Sequence, residues 1–397
     1  MSWSRRSPRM MAGLTLIELM IALLLGTLLV FGLIQLFSAS RAAYQLSEGL
    51  SRVQENGRFA IDYLQRDLRM AGHFGCVNDQ AHTQGDPLGM ATTFAANSAL
   101  ASVANQALRF DISIQGYEAT NTAPGQTVDL AAPAEGWSEG FAGSAIEAAT
   151  GNRVDGSDIV VLRYMVPEGV PVTVIGTAAP ASLANPSFQF DPARWNVLRS
   201  GVENPGLFAV ADCLSATVFQ ASGNPSTGTI NAAVAAPLNV GGFHHVYTPG
   251  QTMLHRLETV VYYVGTNAAG GNSLYRVRYA AAPGLAGGFT APEELVEGIE
   301  NMQILYGFDR ETDVDRPPTG FIGRQAVALS GAASTPERWR RAGAVQVALL
   351  GVSDRATAPE AGASPVLLGT TVTVPADGRM RAVYQSTIAV RNRLYGN

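Results

Sequence analysis

Lysine is absent from the 397 residues, so all 27 basic side chains are arginine. That absence excludes a phosphate-loop lysine, a Schiff-base lysine and a Ser–Lys dyad. Cysteine is nearly absent too, with Cys76 and Cys213 the only two. They are too few for a disulfide scaffold, and they lack the C-x-x-C spacing of zinc or thioredoxin-like sites. Two states remain open for them: one disulfide if the body lies outside the cytoplasm, or two buried thiols. Charged residues make up 15 %, the formal net charge is −5, and there is no polybasic or acidic run. That balance leaves no electrostatic footprint for nucleic acid. The 42 glycines and sparse aromatics suit a β-rich body with many turns.

Signatures of catalysis are missing as well. No G-x-S-x-G elbow, Gly-rich phosphate loop or catalytic-cysteine pattern occurs. The five histidines are His73, His82, His244, His245 and His255, without H-E-x-x-H spacing. Neighbours such as His244 and His245 on a strand point to opposite faces, which argues against a metal site with His255. Asp309, Glu311, Asp313 and Asp315 form an acidic loop whose oxygens suit calcium. The glycine and closing glutamate of an EF-hand are missing, and a solvated turn is the alternative. Arg379, Arg381, Arg391 and Arg393 alternate along one segment, as on a solvated or ion-paired sheet face. The expectation is a chain without catalysis or cofactor.

What the sequence does have is one long hydrophobic run. Residues 1–13 carry Arg5, Arg6 and Arg9 and no acid, and 24 mostly apolar residues follow from Leu14 to Phe37. As a helix they reach about 36 Å, enough for a hydrocarbon core of ~30 Å. Arginines before the run and a polar body after it predict an N-in, C-out orientation. Within the run sits "GLTLIELMIALLL", with a carboxylate at Glu18. A secretory signal cleaved near Ser38-Ala39-Ser40 would have a shorter apolar region without an acid. A plain anchor would use Thr15-Leu16-Ile17-Glu18 as an S/T-x-x-E capping box, which leaves Gly13 unexplained.

A basic leader, Gly13, Leu14, Thr15, two aliphatics, Glu18 and a long apolar helix resemble the class III signal of type IV prepilins and type II secretion pseudopilins. The resemblance implies cleavage by a prepilin peptidase between Gly13 and Leu14 and N-methylation of Leu14. Leu14 departs from the phenylalanine that most often opens such mature chains. It also implies that the Leu14 amine pairs with the Glu18 carboxylate of a neighbouring subunit, setting filament register. A lone charge in low dielectric is costly, so such a pair selects one alignment. Loss of the leader removes three arginines.

Beyond Phe37, Leu46, Leu50, Val53, Gly57, Ala60, Leu64 and Ala71 recur every three or four residues, with Ile61 and Leu68 alongside. That period predicts an amphipathic helix, with Glu48–Arg52 and Asp62–Arg66 as i,i+4 pairs. No proline falls between Leu14 and Gly72, and Gly72 to Cys76 ("GHFGC") ends the helix. The phrase "QENGRFAIDYLQRDLRMAGHFGC" is similar to PilW-type minor pilins, as are "VEGIENMQILYGFD" and "STIAVRNR" further on. The shorter "L..DL" pattern also resembles the type II minor pseudopilin J.

Strands are expected at Asp158–Val166, Leu257–Gly265, Ser273–Tyr279, Val345–Val352 and Arg379–Arg393, the second and third joined as a hairpin through Asn267 to Asn272, with Glu294–Phe308 a turn or short helix leading into a strand. The expected fold class is α+β, pilin-like, with a long helix packed on an antiparallel sheet body. The divisions are leader 1–13, membrane and filament-core helix 14–37, amphipathic helix 38–72, variable region 73–250 and sheet region 251–397. The resemblance implies an inner-membrane minor pilin with a periplasmic body that primes or joins a pilus used in twitching motility. Its partners would be the prepilin peptidase, other minor pilins, the major pilin, a tip adhesin and membrane lipid along 14–37. The alternatives are a type II secretion pseudopilin and, in a different class, a membrane-tethered periplasmic enzyme or receptor.

Overall fold

The structure is a computed structural model that describes residues 15–78, 89–92, 103–176, 186–232, 238–239, 242–243, 245–280, 288–313, 316, 318–356, 364–390 and 392. One helix, α1 (Leu16–Met70), runs unbroken for 55 residues. Thr15 caps its start, and Gly72 at φ 72° follows its end, a left-handed conformation that glycine adopts at no steric cost. No residue from Leu16 to Glu48 is buried, whereas Gly49, Val53, Gly57, Ala60, Leu64, Asp67 and Leu68 are.

Two mostly antiparallel sheets receive that buried face. Among the described residues the first has ten strands, including β1 (Ile114–Tyr117), β2 (Ile159–Met165), β3 (Leu207–Ala211), β4 (Ser215–Gln220), β5 (Met253–Thr266), β6 (Asn272–Ala280) and β7 (Glu293–Glu297), with Gly89–Thr92 running parallel to β4 at its edge. The second holds β8 (Ile299–Asp309), β9 (Ile322–Ala326), β10 (Ala342–Ala356) and β11 (Arg379–Ala389), in the order β9-β8-β10-β11. Strand β5 is the hub of the first sheet, pairing with β2, β3 and β6. The sheet therefore draws strands from both sides of residue 250. Ala60, Leu64 and Leu68 of α1 share one core with Leu162 of β2, Val260 and Tyr262 of β5, Ile304 of β8 and Val347 of β10. The α+β architecture expected from the sequence is what the chain adopts.

Three local readings change. Leu46 and Leu50 are 40 % and 39 % exposed, and Gly49 takes the contact position instead. The Glu294 segment is a strand rather than a turn or helix. Gly298 at φ 74° separates β7 from β8. Strand β11 ends at Ala389, with Arg391 and Arg393 outside the described residues. The hairpin between β5 and β6 forms as expected: Asn267 Oδ1 accepts from the N–H groups of Ala269 and Gly271, and Gly270 supplies φ 80°.

Gly57 is where α1 comes closest to β11, because a Cβ there would fall inside the ring of Tyr384. Helix propensity alone favours alanine over glycine by ~1 kcal/mol, while overpacking costs ~1–3 kcal/mol. Gly57→Ala is therefore expected to lower stability in chemical denaturation, and combining it with Tyr384→Ala should recover part of the loss. A more stable single variant would refute the close contact.

A polar seam joins the sheets. Asp158, 3 % exposed, accepts from Ala119 N at 2.9 Å and from Ile304 N at 2.8 Å on β8. Beside it, Asn301 and Gln303 donate to the Gly156 carbonyl at 2.8 and 3.0 Å. Burial, with nearby Glu118, pushes the Asp158 carboxyl well above the usual carboxylate range. Burial likewise raises Glu118 to about 7, against a lowering hydrogen bond from Thr122. A carboxyl whose pKa rises on folding stabilises the protein fully below its unfolded pKa and loses that contribution as pH climbs through the folded one. Stability should thus fall between about pH 4.5 and 7, by on the order of 1–3 kcal/mol. Glu118→Gln should flatten that slope in denaturation curves, and an unchanged slope would remove Glu118 as its cause.

Candidate assembly helix

The N-terminal end of α1 combines exposure with a capped start. Thr15 Oγ1 accepts from Glu18 N at 3.3 Å and lies 3.5 Å from Glu18 Oε2. Only half of a capping box forms, since the Glu18 carboxylate meets the Thr15 hydroxyl rather than the Thr15 N–H. Glu18 has no cationic partner among the described residues, while Gly13 and Leu14 lie outside them. From Leu16 to Phe37 the large side chains are more than half exposed, and the most apolar stretch has a mean hydropathy of 2.5 with none of it buried. A helix this long and apolar fits a membrane anchor.

At its other end α1 is tied down. Tyr262 donates its hydroxyl to Asp67 at 2.5 Å, and Arg276 stands 3.8 Å from the same carboxylate. Burial raises the Asp67 carboxyl, partly countered by Tyr262 and Arg276. Asn392 donates to the carbonyls of Arg69 at 3.3 Å and Ala71 at 3.1 Å, closing the helix terminus. These polar ties went unread in the sequence. The one available signal was Asp67, an acid that interrupts the apolar stripe.

Cys76 and Cys213, 137 positions apart in sequence, are joined, with Cα atoms 4.7 Å apart. The link fastens the segment after α1 to the turn between β3 and β4, beside a core formed by Phe74, Phe110, Ala209 and Val218. Both half-cystines are exposed.

The acidic loop is closed on itself. Asp309 Oδ1 accepts from Glu311 N, Thr319 N and the Thr319 hydroxyl, and Oδ2 accepts from Gly320 N. These hydrogen bonds outweigh burial and hold its carboxyl below the usual range. Arg316 pairs with Asp313 at 3.3 Å, and Asp315 lies outside the described residues. Engaged this way, Asp309 staples the loop. Among the described residues no group of three or more His, Cys, Asp or Glu is placed to hold a metal.

Of the described histidines, His73 and His255 meet edge to face, with ring centroids 6.2 Å apart. His245 pairs with Asp212 at 2.7 Å and His255 with the Val166 carbonyl at 2.9 Å, while His82 and His244 fall outside the described residues. On β11, Arg381 binds Glu300 through two hydrogen bonds of 2.6 and 2.9 Å and also holds Asp377. That face is ion-paired, as its alternating arginines suggest. The Arg381 hydrogen bonds pull Asp377 down to about 2.

The sheet that grips α1 is the part of the chain with a recognisable family pattern. Residues 261–392 match the PilW family, Type IV Pilus-assembly protein W. The PilW match runs from the middle of β5 through β11 to Asn392, covering the whole second sheet and the residue that closes α1. No curated protein and no solved structure matches the chain. The PilW match supports a role in type IV pilus assembly, alongside other components of that machinery. Such a role fits the cell envelope, as does the apolar half of α1.

Proposed function

We propose that the protein is a minor pilin, inserted in the inner membrane with its body in the periplasm, that primes or joins a type IV pilus serving twitching motility. One observation carries the reading: a single helix is bare and apolar over its first half and fixed over its second half to the PilW-matching sheet. Such a helix can leave the bilayer and enter a filament without disturbing the body. The Gly13–Leu14 junction is then the prepilin peptidase site, and the freed, methylated amine of Leu14 is the counter-ion for Glu18. The disulfide supports an oxidising compartment for the body. The role is structural, with no catalytic step and no cofactor.

The test is the N-terminal sequence and intact mass of the protein purified from membranes. A chain beginning at methylated Leu14 is expected. A chain beginning after Ser40, or one retaining Met1, would overturn the reading.

A further inference from the structure

A cleft of about 640 Å³ opens where the first sheet runs past the last turns of α1. Its position follows from the strands. On β5, Tyr262 and Val260 lie in the core beneath the helix, but the next residues on that face are Glu258 and Arg256. Opposite Val260 stands Arg278, and opposite Glu258 stands Tyr164. The apolar face thus becomes a charged floor lined by Arg256, Glu258 and Arg278, roofed by Arg66 and Arg69.

The floor is buried yet incompletely matched. Arg256 is 6 % exposed; it reaches Glu258 at 3.3 Å, but its Nε has no hydrogen-bond partner among the described residues. Arg278 stands 3.3 Å from the same Glu258, so two guanidiniums share one carboxylate. Tyr164 is 5 % exposed, lines the cleft, and its hydroxyl makes no hydrogen bond to a described residue. Arg66 and Arg69 are exposed and form no ion pair among the described residues, although Asp62 sits four positions before Arg66. Arg256 Nε is closed off from solvent and Glu258 Oε1 is likewise without a hydrogen bond among the described residues, so an entering anion meets first the exposed guanidiniums of Arg66 and Arg69.

We infer that this cleft is a socket for a carboxylate carried by an acidic segment of another pilus subunit. The occupant's identity rests on the proposed function; the socket's preference for carboxylate does not. Two observations favour a protein segment. Asp62 and Glu168 flank the arginines, so a densely charged polyanion is repelled where a single carboxylate in a mixed sequence is admitted. Arg66 also lies 29 residues beyond Phe37, about 44 Å along the helix from the apolar stretch, out of reach of lipid headgroups.

The full-length protein in detergent micelles should bind a blocked Gly-Ser-Glu-Ser-Gly peptide, which carries one carboxylate, more tightly than inorganic phosphate. Arg66→Gln/Arg69→Gln should weaken peptide binding about tenfold, as should raised salt, with the melting temperature unchanged. If the peptide binds no better than phosphate, or the double variant binds it equally well, the socket is refuted. In cells, a photo-crosslinking residue placed at Arg69 should capture an Asp- or Glu-containing peptide of another pilus subunit, identified by mass spectrometry. Capture of this chain's own peptides, or of no pilus subunit, refutes that occupant. The titration requires no pilus, so a failed socket and a failed pilin assignment give different results.

Discussion

Replacing Glu18 with alanine should abolish surface pili while leaving the protein inserted and folded. The body has no stake in this side chain: Glu18 is exposed in the first turn of α1 and, among the described residues, its side chain meets only Thr15. Its backbone N–H donates to Thr15 Oγ1, a bond that survives the substitution. On the proposed function, what disappears is the carboxylate that would meet the freed amine of Leu14. An unpaired charge at bilayer depth costs roughly 2.5–3.5 kcal/mol on insertion scales, which strongly favours the paired arrangement during assembly. Pilus shear fractions and electron microscopy report the outcome, and a denaturation curve in detergent should match the parent. If Glu18 serves only as a cap, Thr15→Ala and Glu18→Ala should behave alike, with pili intact. A deletion strain that keeps its pili but stops secreting protein would move the chain to the type II secretion class.

The second large effect concerns the disulfide. Serine at both Cys76 and Cys213 should destabilise the body by roughly 3–5 kcal/mol, because the link closes a 137-residue loop in the unfolded chain. Loss of that constraint also releases the segment that follows α1 from β3 and β4. Each single Cys→Ser variant should lose as much as the pair, since either removes the same bond. Because both half-cystines are exposed, mild reductant should lower the denaturation midpoint of the parent and leave the double variant unchanged. Equal midpoints with and without reductant would show that the bond contributes little.

The sequence reading succeeded where one period or one turn chemistry dominates. The helix length, its glycine stop and the Asn267 hairpin each follow from local rules. It went astray at Leu46 and Leu50 because hydrophobicity and contact are different properties. Val53, Leu64 and Leu68 pack on the sheets and Gly57 lets Tyr384 come close, while Leu46 and Leu50 lie off that face. The Asp158 seam and the Asp67–Tyr262 tie were invisible because they join residues 146 and 195 positions apart. The acidic loop looked like a ligand set because composition cannot show that Asp309 already accepts four hydrogen bonds.

The helix free before Gly49 and clamped after it behaves as a lever. From Glu48 back to Glu18 the arm is about 45 Å long. A tilt of only about 5° at the clamp would displace Glu18 by about 4 Å, comparable to the reach of an ion pair. Aim at the far tip therefore depends on the stiffness of the joint, and a ring packed against Gly57 bears on where a carboxylate nearly 60 Å away is held.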